Sequence, residues 1–361
     1  MSKTGLLHSL STVELRQAGQ SPWLDNISRE LLKSGKLKEL VEDHGLLGVT
    51  SNPSIFEKSI TQKDGGYDRD ILKFVRKGFS TLQIYDELTL SDIQSACDFF
   101  RKVHQSSKGE HGYVSLEVLP TLAYEEERSV SEAIRLFKAV SRPNVMIKVP
   151  ATPEGVRAVR CLIGNGININ VTLMFSRKHY RDVANAYIDG LADFKRKGGD
   201  PSRVHSVASV FVSRIDSWID KKLDERIKTA GAGEKGKLEA LKGRAAVANS
   251  KLIYQDFKEI FASDKFKKLQ SAGAFHQKVL WGSTSTKNPD YPDLLYVEPL
   301  IGRETVNTMP TATLEAFMDH GKVYVDSIEE GVDAARRTVS EIESFGFLFE
   351  ELGEQDRKSV V

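Results

Sequence analysis

The sequence predicts an α/β protein, a single (β/α)8 TIM barrel domain over residues 1–361 with extra surface helices. Three observations support this prediction. Short apolar segments alternate with helical patterns eight times, as in sheets whose parallel strands are connected by helices. The sequence contains no linker-like stretch that would separate two domains. Barrels of about this length also occur as one domain. An open doubly wound sheet is the alternative.

The strands can be assigned in chain order, each followed by a helical pattern. We predict them at residues 22–27, 45–53, 112–118, 143–148, 166–173, 204–212, 277–283 and 294–297. Thr152 and Ser176 are typical helix caps after the fourth and fifth strands. Two longer stretches, about 54–104 and 230–273, are predicted to be helical insertions, the second being polar and on the outside of the fold.

Composition excludes several classes of protein. The 51 basic and 50 acidic residues are balanced, which disfavours binding to nucleic acid or to a membrane surface. No apolar run approaches the roughly 20 residues that cross a bilayer, and residues 1–7 are too short an apolar start for a signal peptide. Cys97 and Cys161 lie in helical patterns, so a disulfide is not expected. We therefore expect a cytoplasmic protein.

The fourth strand contains an unusual residue. Lys148 lies in the run Pro143-Asn-Val-Met-Ile-Lys-Val-Pro150, among side chains typical of a buried strand. An edge-strand lysine or one that extends to solvent is the ordinary explanation. However, the run ends where a helix begins, so Lys148 lies at the carboxyl end of its strand, where barrels have their active sites. Loss of hydration there favours the free amine, which is a Schiff-base nucleophile.

Polar side chains recur at the same end of neighbouring strands. Alternation along each strand puts one set on a common face. Each member alone has an ordinary explanation, such as a helix cap, a turn or a packing residue. Six converging strand ends are much harder to explain by chance. The set is Asp25, Asn52, Glu117, Lys148, Asn170 with Thr172, and Ser209.

These residues would support aldol chemistry on a sugar. An imine between Lys148 and a ketose is an electron sink for carbon–carbon cleavage, and cleavage needs an acid/base group. Asp25 and Glu117 are the available carboxylates, and Thr172 would hold a water between Glu117 and the imine. The scattered histidines and cysteines give no metal site, so we expect no metal and no cofactor. Arg214, at a helix start, and the segment 283–287 are candidates for binding phosphate.

Five motifs follow one another along the chain: Gly48-Val-Thr-Ser-Asn-Pro-Ser54, Val114-Ser-Leu-Glu-Val118, Val145-Met-Ile-Lys-Val-Pro150, Asn168-Ile-Asn-Val-Thr-Leu-Met-Phe-Ser176 and Ala208-Ser-Val-Phe-Val-Ser-Arg214. With these motifs the chain resembles the transaldolases over about residues 23–287. The Asn307-Thr-Met-Pro310 region and the chain length are similar to those of a longer, bacterial-type branch.

The resemblance implies transfer of a dihydroxyacetone unit between sugar phosphates in the non-oxidative pentose phosphate pathway. It implies Lys148 as the imine lysine, Asp25 as acid/base, and Glu117 with Thr172 handling a catalytic water. Residues matching substrate-binding positions are Asn52, Asn170, Ser209 and Phe211. Residues matching the phosphate site are Arg214, Ser285 and Lys287. Many relatives have arginine where this chain has Lys287, and lysine keeps the positive charge but lacks the bidentate fork of arginine.

Two other functions fit the same residues. One is an aldolase that releases free dihydroxyacetone, although Phe211 lacks a hydroxyl beside the site and so favours transfer. The other is a non-catalytic barrel that binds sugar phosphates. The expected partners are small sugar phosphates, and the chain is expected to be a monomer or a homodimer.

Overall fold

The computed structural model describes residues 10–63 and 65–360 and confirms the barrel. Eight parallel strands form a closed sheet in sequence order, with β8 paired to β1. The strands are β1 Gln20–Asp25, β2 Gly48–Thr50, β3 Tyr113–Glu117, β4 Val145–Pro150, β5 Ile169–Met174, β6 Ser206–Phe211, β7 Lys278–Gly282 and β8 Thr305–Met309. Closure leaves no sheet edge and directs the carboxyl ends of all eight strands to one end of the barrel.

Sixteen α-helices lie around the strands in the described part of the chain. They are α1 Leu10–Gln17, α2 Arg29–Lys33, α3 Lys36–Glu42, α4 Pro53–Thr61, α5 Asp68–Arg76, α6 Thr81–Ser106, α7 Glu126–Val140, α8 Pro153–Ile163, α9 Arg177–Arg196, α10 Ser213–Ile227, α11 Ala232–Leu241, α12 Ala245–Phe261, α13 Asp264–Gln270, α14 Thr311–His320, α15 Val332–Ser344 and α16 Phe349–Val360. Within these ranges, no helix combines the length and apolar character needed to cross a membrane. Residues 1–7, judged too short an apolar start for a signal peptide, lie outside the described residues.

Helix starts follow the capping residues read from the sequence. The Thr152 hydroxyl accepts a hydrogen bond from the Gly155 N–H at the start of α8, and Ser176 accepts one from the His179 N–H at the start of α9. Each hydroxyl satisfies a backbone donor that has no partner inside its own helix. Both caps directly follow strand ends, so they fix where the chain turns away from the barrel mouth.

The prediction for the eighth strand is wrong. Residues 294–297 form turns, and β8 is Thr305–Met309, which pairs with β7 and β1. Leu294, Tyr296 and Val297 are nevertheless buried, because the β7–β8 connection folds back onto the barrel. A buried loop needs apolar side chains, and in the sequence its apolar run looks the same as that of a short buried strand.

The inside of the barrel has an apolar layer below a polar one. Trp23, Leu47, Tyr113, Met146, Val207, Leu280 and Val306 form a separate buried cluster. A Cβ added to Gly48 would lie 2.5 Å from the Trp23 ring, so only glycine fits there. Lys148 lies two residues after Met146 on β4, and Ser209 lies two residues after Val207 on β6, so each shares a strand face with a member of the cluster. The cluster therefore closes one end of the barrel and leaves the polar strand ends at the other.

Both stretches predicted as insertions are helical, containing α4–α6 and α11–α13. The second is less peripheral than its composition suggested. Most of α12 is buried, and the helix packs against α9, α10 and α15. The connection from β7 to β8 contains a 3-10 turn, Glu298–Leu300, in place of an α-helix, and α15 lies beside α12 in the outer ring. Local composition underestimates the burial of α12, because the apolar residues of this helix are interspersed with charged ones.

Candidate active site

Lys148 occupies the carboxyl-terminal half of β4, facing into the barrel, and is 5% exposed. Its Nζ lies 3.1 Å from Glu117 Oε2 and donates to the Ser51 carbonyl oxygen at 3.2 Å. The carboxylate is adjacent because the β3–β4 register pairs Glu117 directly with Lys148. A buried lysine thus has one carboxylate and one carbonyl as partners, and its amine remains at the mouth of the barrel.

Asp25 ends β1 on the same side of the barrel. Its Oδ1 accepts a hydrogen bond from Thr50 Oγ1 at 2.6 Å, and Thr50 Oγ1 lies 2.8 Å from Thr308 Oγ1. Since Thr50 has one hydroxyl proton and donates it to Asp25, Thr308 donates to Thr50. Burial raises the pKa of Asp25, and the charge of Lys148, the Thr50 hydrogen bond and the charge of Lys287 oppose that rise. Asp25 is therefore electrostatically coupled to the lysine across the pocket.

Asn170 links β3, β5 and β6 through a chain of side chains. Its Nδ2 donates to Ser115 Oγ at 3.0 Å, and its Oδ1 accepts from Ser209 Oγ at 2.6 Å. Asn170 is fully buried and is the register partner of Lys148 on the neighbouring strand. Protein partners thus fix the amide of Asn170, while Ser209 lies at the pocket surface. Substrate contacts for both residues stay predictions.

Thr172 lies where β5 departs from regular pairing. The register with β6 shifts between Val171 and Met174, and Leu173 has a φ of 62°, which is unusual for a branched residue. Thr172 Oγ1 is buried and makes no hydrogen bond within the described residues. Backbone strain and an unpaired buried hydroxyl are both typical of functional positions.

The predicted phosphate ligands come from two segments. Arg214 is the second residue of α10, and its guanidinium carbon lies 5.1 Å from the centre of the Phe211 ring. Ser285 and Lys287 follow β7, and Lys287 Nζ donates to Ser285 Oγ at 2.9 Å. Two cations and a hydroxyl therefore gather near the start of a helix, an arrangement suited to an anion.

One cavity of about 200 Å³ brings most of the predicted residues together. Glu117 contacts Lys148 beside it, and Asn170 and Thr172 are buried on the strand next to β4. Asn52 also has a structural task, since its Oδ1 caps α4 by accepting from the Ile55 N–H. The predicted residues lining the cavity are Asp25, Asn52, Lys148, Ser209, Phe211, Arg214, Ser285 and Lys287.

Known proteins of one family are similar to this chain along most of its length. The profile of the transaldolase/fructose-6-phosphate aldolase family matches residues 22–358. The chain belongs to this family. A transaldolase of Trichodesmium erythraeum is 46% identical over 91% of this chain and 87% of its own length. Transaldolases of Thiobacillus denitrificans and of an Arthrobacter species are 45% and 42% identical, over 93% and 94% of this chain and 91% and 90% of their own lengths.

Three hydroxyl residues of this transaldolase-family site were missed from the sequence. Thr50 and Thr308 contact Asp25 directly or through one another, and Ser115 contacts Asn170. Alternation could have revealed Thr50, which lies between Gly48 and Asn52 on the inner face of β2. Thr308 was missed because its strand was assigned to residues 294–297.

Proposed function

We propose that this chain is a transaldolase that transfers a dihydroxyacetone unit through an imine on Lys148. The donor is sedoheptulose 7-phosphate or fructose 6-phosphate, and the acceptor is glyceraldehyde 3-phosphate or erythrose 4-phosphate. The pair formed by the buried Lys148 amine and Glu117, 3.1 Å apart in the barrel mouth, supports this proposal most directly. Relatives named transaldolase, 42–46% identical over about nine tenths of the chain, support the same activity.

The reaction begins with attack of the Lys148 amine on the ketose carbonyl carbon. Proton transfers through Glu117 and a water beside Thr172 release the carbonyl oxygen as water and leave a protonated imine. Asp25 then accepts the proton of the C4 hydroxyl, the C3–C4 bond breaks, and its electron pair moves into the imine as an enamine. The aldose phosphate leaves. The enamine carbon attacks the acceptor aldehyde, Asp25 returns the proton, and water hydrolyses the imine.

The substrate is held by two groups of side chains in this proposal. Asn52, Asn170 and Ser209 bind hydroxyls of the sugar, and Phe211 packs beside them. Arg214, Ser285 and Lys287 bind the phosphate, supported by their position around one cavity. A phosphate anchored at a distance from the imine orients the bond to be cleaved, which is an efficient use of binding energy.

Borohydride trapping with fructose 6-phosphate tests the proposal. The wild type should form one stable adduct that peptide mapping assigns to Lys148, and Lys148→Ala should form none. Lys278→Ala is a matched control, because Lys278 is also a barrel lysine with a glutamate 3.1 Å away, but it begins β7 at the opposite end. A wild type without an adduct, or Lys148→Ala with an undiminished one, would refute the imine mechanism and favour a non-catalytic barrel.

Release of free dihydroxyacetone is the second candidate, because the matching family contains both activities. Phe211 lines the cavity without a hydroxyl, which favours transfer. The assay compares fructose 6-phosphate cleavage with and without erythrose 4-phosphate. Transfer requires the acceptor for turnover, whereas an aldolase would release dihydroxyacetone in its absence.

We also propose that the chain works as one barrel domain in the cytoplasm, as a monomer or homodimer. Both of its cysteines are free, in keeping with a reducing compartment. Light scattering on the purified protein distinguishes the two oligomeric states.

A further inference from the structure

The segment 283–304 between β7 and β8, here called the phosphate loop, contains Ser285 and Lys287. Under the proposed function, these residues bind the substrate phosphate together with Arg214. Arg214 belongs to α10, whereas the other two belong to the loop, so the geometry of the phosphate site depends on how the loop is fixed relative to α10.

Two aspartates on one face of α10 make this connection. Tyr291 Oη in the loop donates to Asp220 Oδ2 at 2.7 Å. Tyr296 Oη donates to Asp216 Oδ2 at 3.0 Å. Since Asp216 and Asp220 are four residues apart on a helix, both face the loop, and two tyrosine hydroxyls attach it at successive turns.

The second oxygen of each aspartate binds the segment that begins α12. Asp220 Oδ1 accepts from the Gly243 N–H at 3.0 Å, and Asp216 Oδ1 accepts from the Ala246 N–H at 2.8 Å. Asp216 therefore satisfies a backbone donor at the start of α12, whose N-cap residue Arg244 makes no side-chain cap. Each carboxylate thus bridges the phosphate loop and the segment 243–246, which leads into α12.

The packing around this bridge leaves little freedom. Gly243 has a φ of +68°, and a Cβ there would lie 2.8 Å from Tyr291 Cζ, so the ring packs directly on the backbone. Asp216 is 1% exposed and Asp220 is 8% exposed. Burial raises the pKa of Asp216 to about 7, and the Ala246 N–H and the Tyr296 hydroxyl oppose that rise. Burying two carboxyl groups costs free energy, so their presence here indicates that they hold neighbouring segments in place and do not merely keep the helix surface soluble.

We propose that Asp216 and Asp220 are positioning residues that hold the phosphate loop at the distance from Arg214 that a phosphate monoester requires. This inference rests on the proposed function for the identity of the ligand. It also assigns a role to the stretch 230–273, because that stretch contains Gly243 and Ala246, the backbone side of the bridge. If one tyrosine–aspartate bond is lost, the other still attaches the loop, and we expect the fold to persist while the loop moves away from Arg214.

The test compares Tyr291→Phe and Tyr296→Phe, each of which removes one hydroxyl that donates to an α10 aspartate, with Asp224→Asn. Asp224 lies four residues after Asp220 on α10, and its Oδ1 accepts a hydrogen bond from Lys242 Nζ at 2.7 Å instead of from the loop. Calorimetry gives the Kd of inorganic phosphate, and steady-state kinetics give KM and kcat with fructose 6-phosphate and erythrose 4-phosphate. Trapping with free dihydroxyacetone reports imine formation without a phosphate.

Tyr291→Phe and Tyr296→Phe should weaken phosphate binding and raise KM by about threefold to tenfold, the range expected for one hydrogen bond. Their kcat and dihydroxyacetone trapping should stay within about twofold of wild type, and Asp224→Asn should match wild type throughout. Unchanged phosphate binding in the two variants, an equal loss in Asp224→Asn, or no phosphate binding by wild type would overturn the inference. If wild type forms no trapped adduct with dihydroxyacetone, the proposed function is overturned instead. The Kd values for phosphate would still show whether the two tyrosine–aspartate bonds position the loop.

Discussion

Replacement of Thr50 by valine tests whether Asp25 is the acid/base group of this transaldolase. The variant keeps the shape of the side chain and removes the hydroxyl that donates to Asp25 Oδ1 at 2.6 Å. A donor stabilises the ionised carboxylate, so the Thr50 hydrogen bond lowers the pKa of Asp25, and losing it raises that pKa. The variant therefore has less of the base form at a given pH.

The magnitude follows from the strength of a hydrogen bond to a charged group, about 1.5–3 kcal/mol. A factor of ten in an equilibrium constant corresponds to about 1.4 kcal/mol, so in Thr50→Val the ionised form of Asp25 should be roughly tenfold to a hundredfold less favoured and the pKa of Asp25 should rise. If Asp25 is the base, the acid limb of the kcat/KM profile should move to higher pH. At pH values below that limb, kcat/KM of Thr50→Val should be roughly tenfold to a hundredfold lower than that of wild type.

The assay is transfer from fructose 6-phosphate to erythrose 4-phosphate, measured from pH 5 to 9 for wild type and the variants Thr50→Val, Thr50→Ser and Thr308→Val. Thr50→Ser keeps the hydroxyl and should behave like wild type. Thr308→Val keeps the Thr50–Asp25 bond and removes the donor 2.8 Å behind it, so its shift should be smaller than that of Thr50→Val. An acid limb that does not move in Thr50→Val, or that moves equally in Thr50→Ser, would refute the reasoning.

Three further predictions concern stability and substrate binding. Because burial raises the pKa of Asp216 to about 7, the native state binds its proton more tightly than the unfolded state, and stability from this group is lost as pH rises from about 4 to 7. Urea unfolding should therefore show wild type losing stability relative to Asp216→Asn over that range, by at most about 1.4 kcal/mol per pH unit. Gly48→Ala should destabilise the barrel by about 1–3 kcal/mol through its clash with Trp23, while Gly236→Ala, with open space around it, should not. Lys287→Arg should lower KM for fructose 6-phosphate by supplying a bidentate fork, and Lys287→Gln should raise it, both in steady-state assays.

Much of the fold was predictable because its signals are local. Seven strands lie where apolar runs end at turns or caps, and the caps Thr152 and Ser176 begin their helices as expected. The eighth strand was not predictable in this way. Its residues Thr-Val-Asn-Thr-Met face a barrel interior on one side, and the more apolar segment 294–297 belongs to a loop that packs on α10. Burial of a loop and burial of a strand leave the same trace in a sequence.

The sequence by itself determined the positions of Lys148, Asp25 and Glu117 at strand ends, because a period of two puts alternate residues on one face and parallel strands end together. Tertiary structure alone decided which atoms meet. Thr50 and Thr308, 258 residues apart, become neighbours of Asp25 because the closed sheet brings β8 to the side of β1. Likewise, the α10 aspartates reach the phosphate loop because the β7–β8 connection folds back over that helix. Contacts at such separations depend on barrel closure and register, which no local pattern of residues contains.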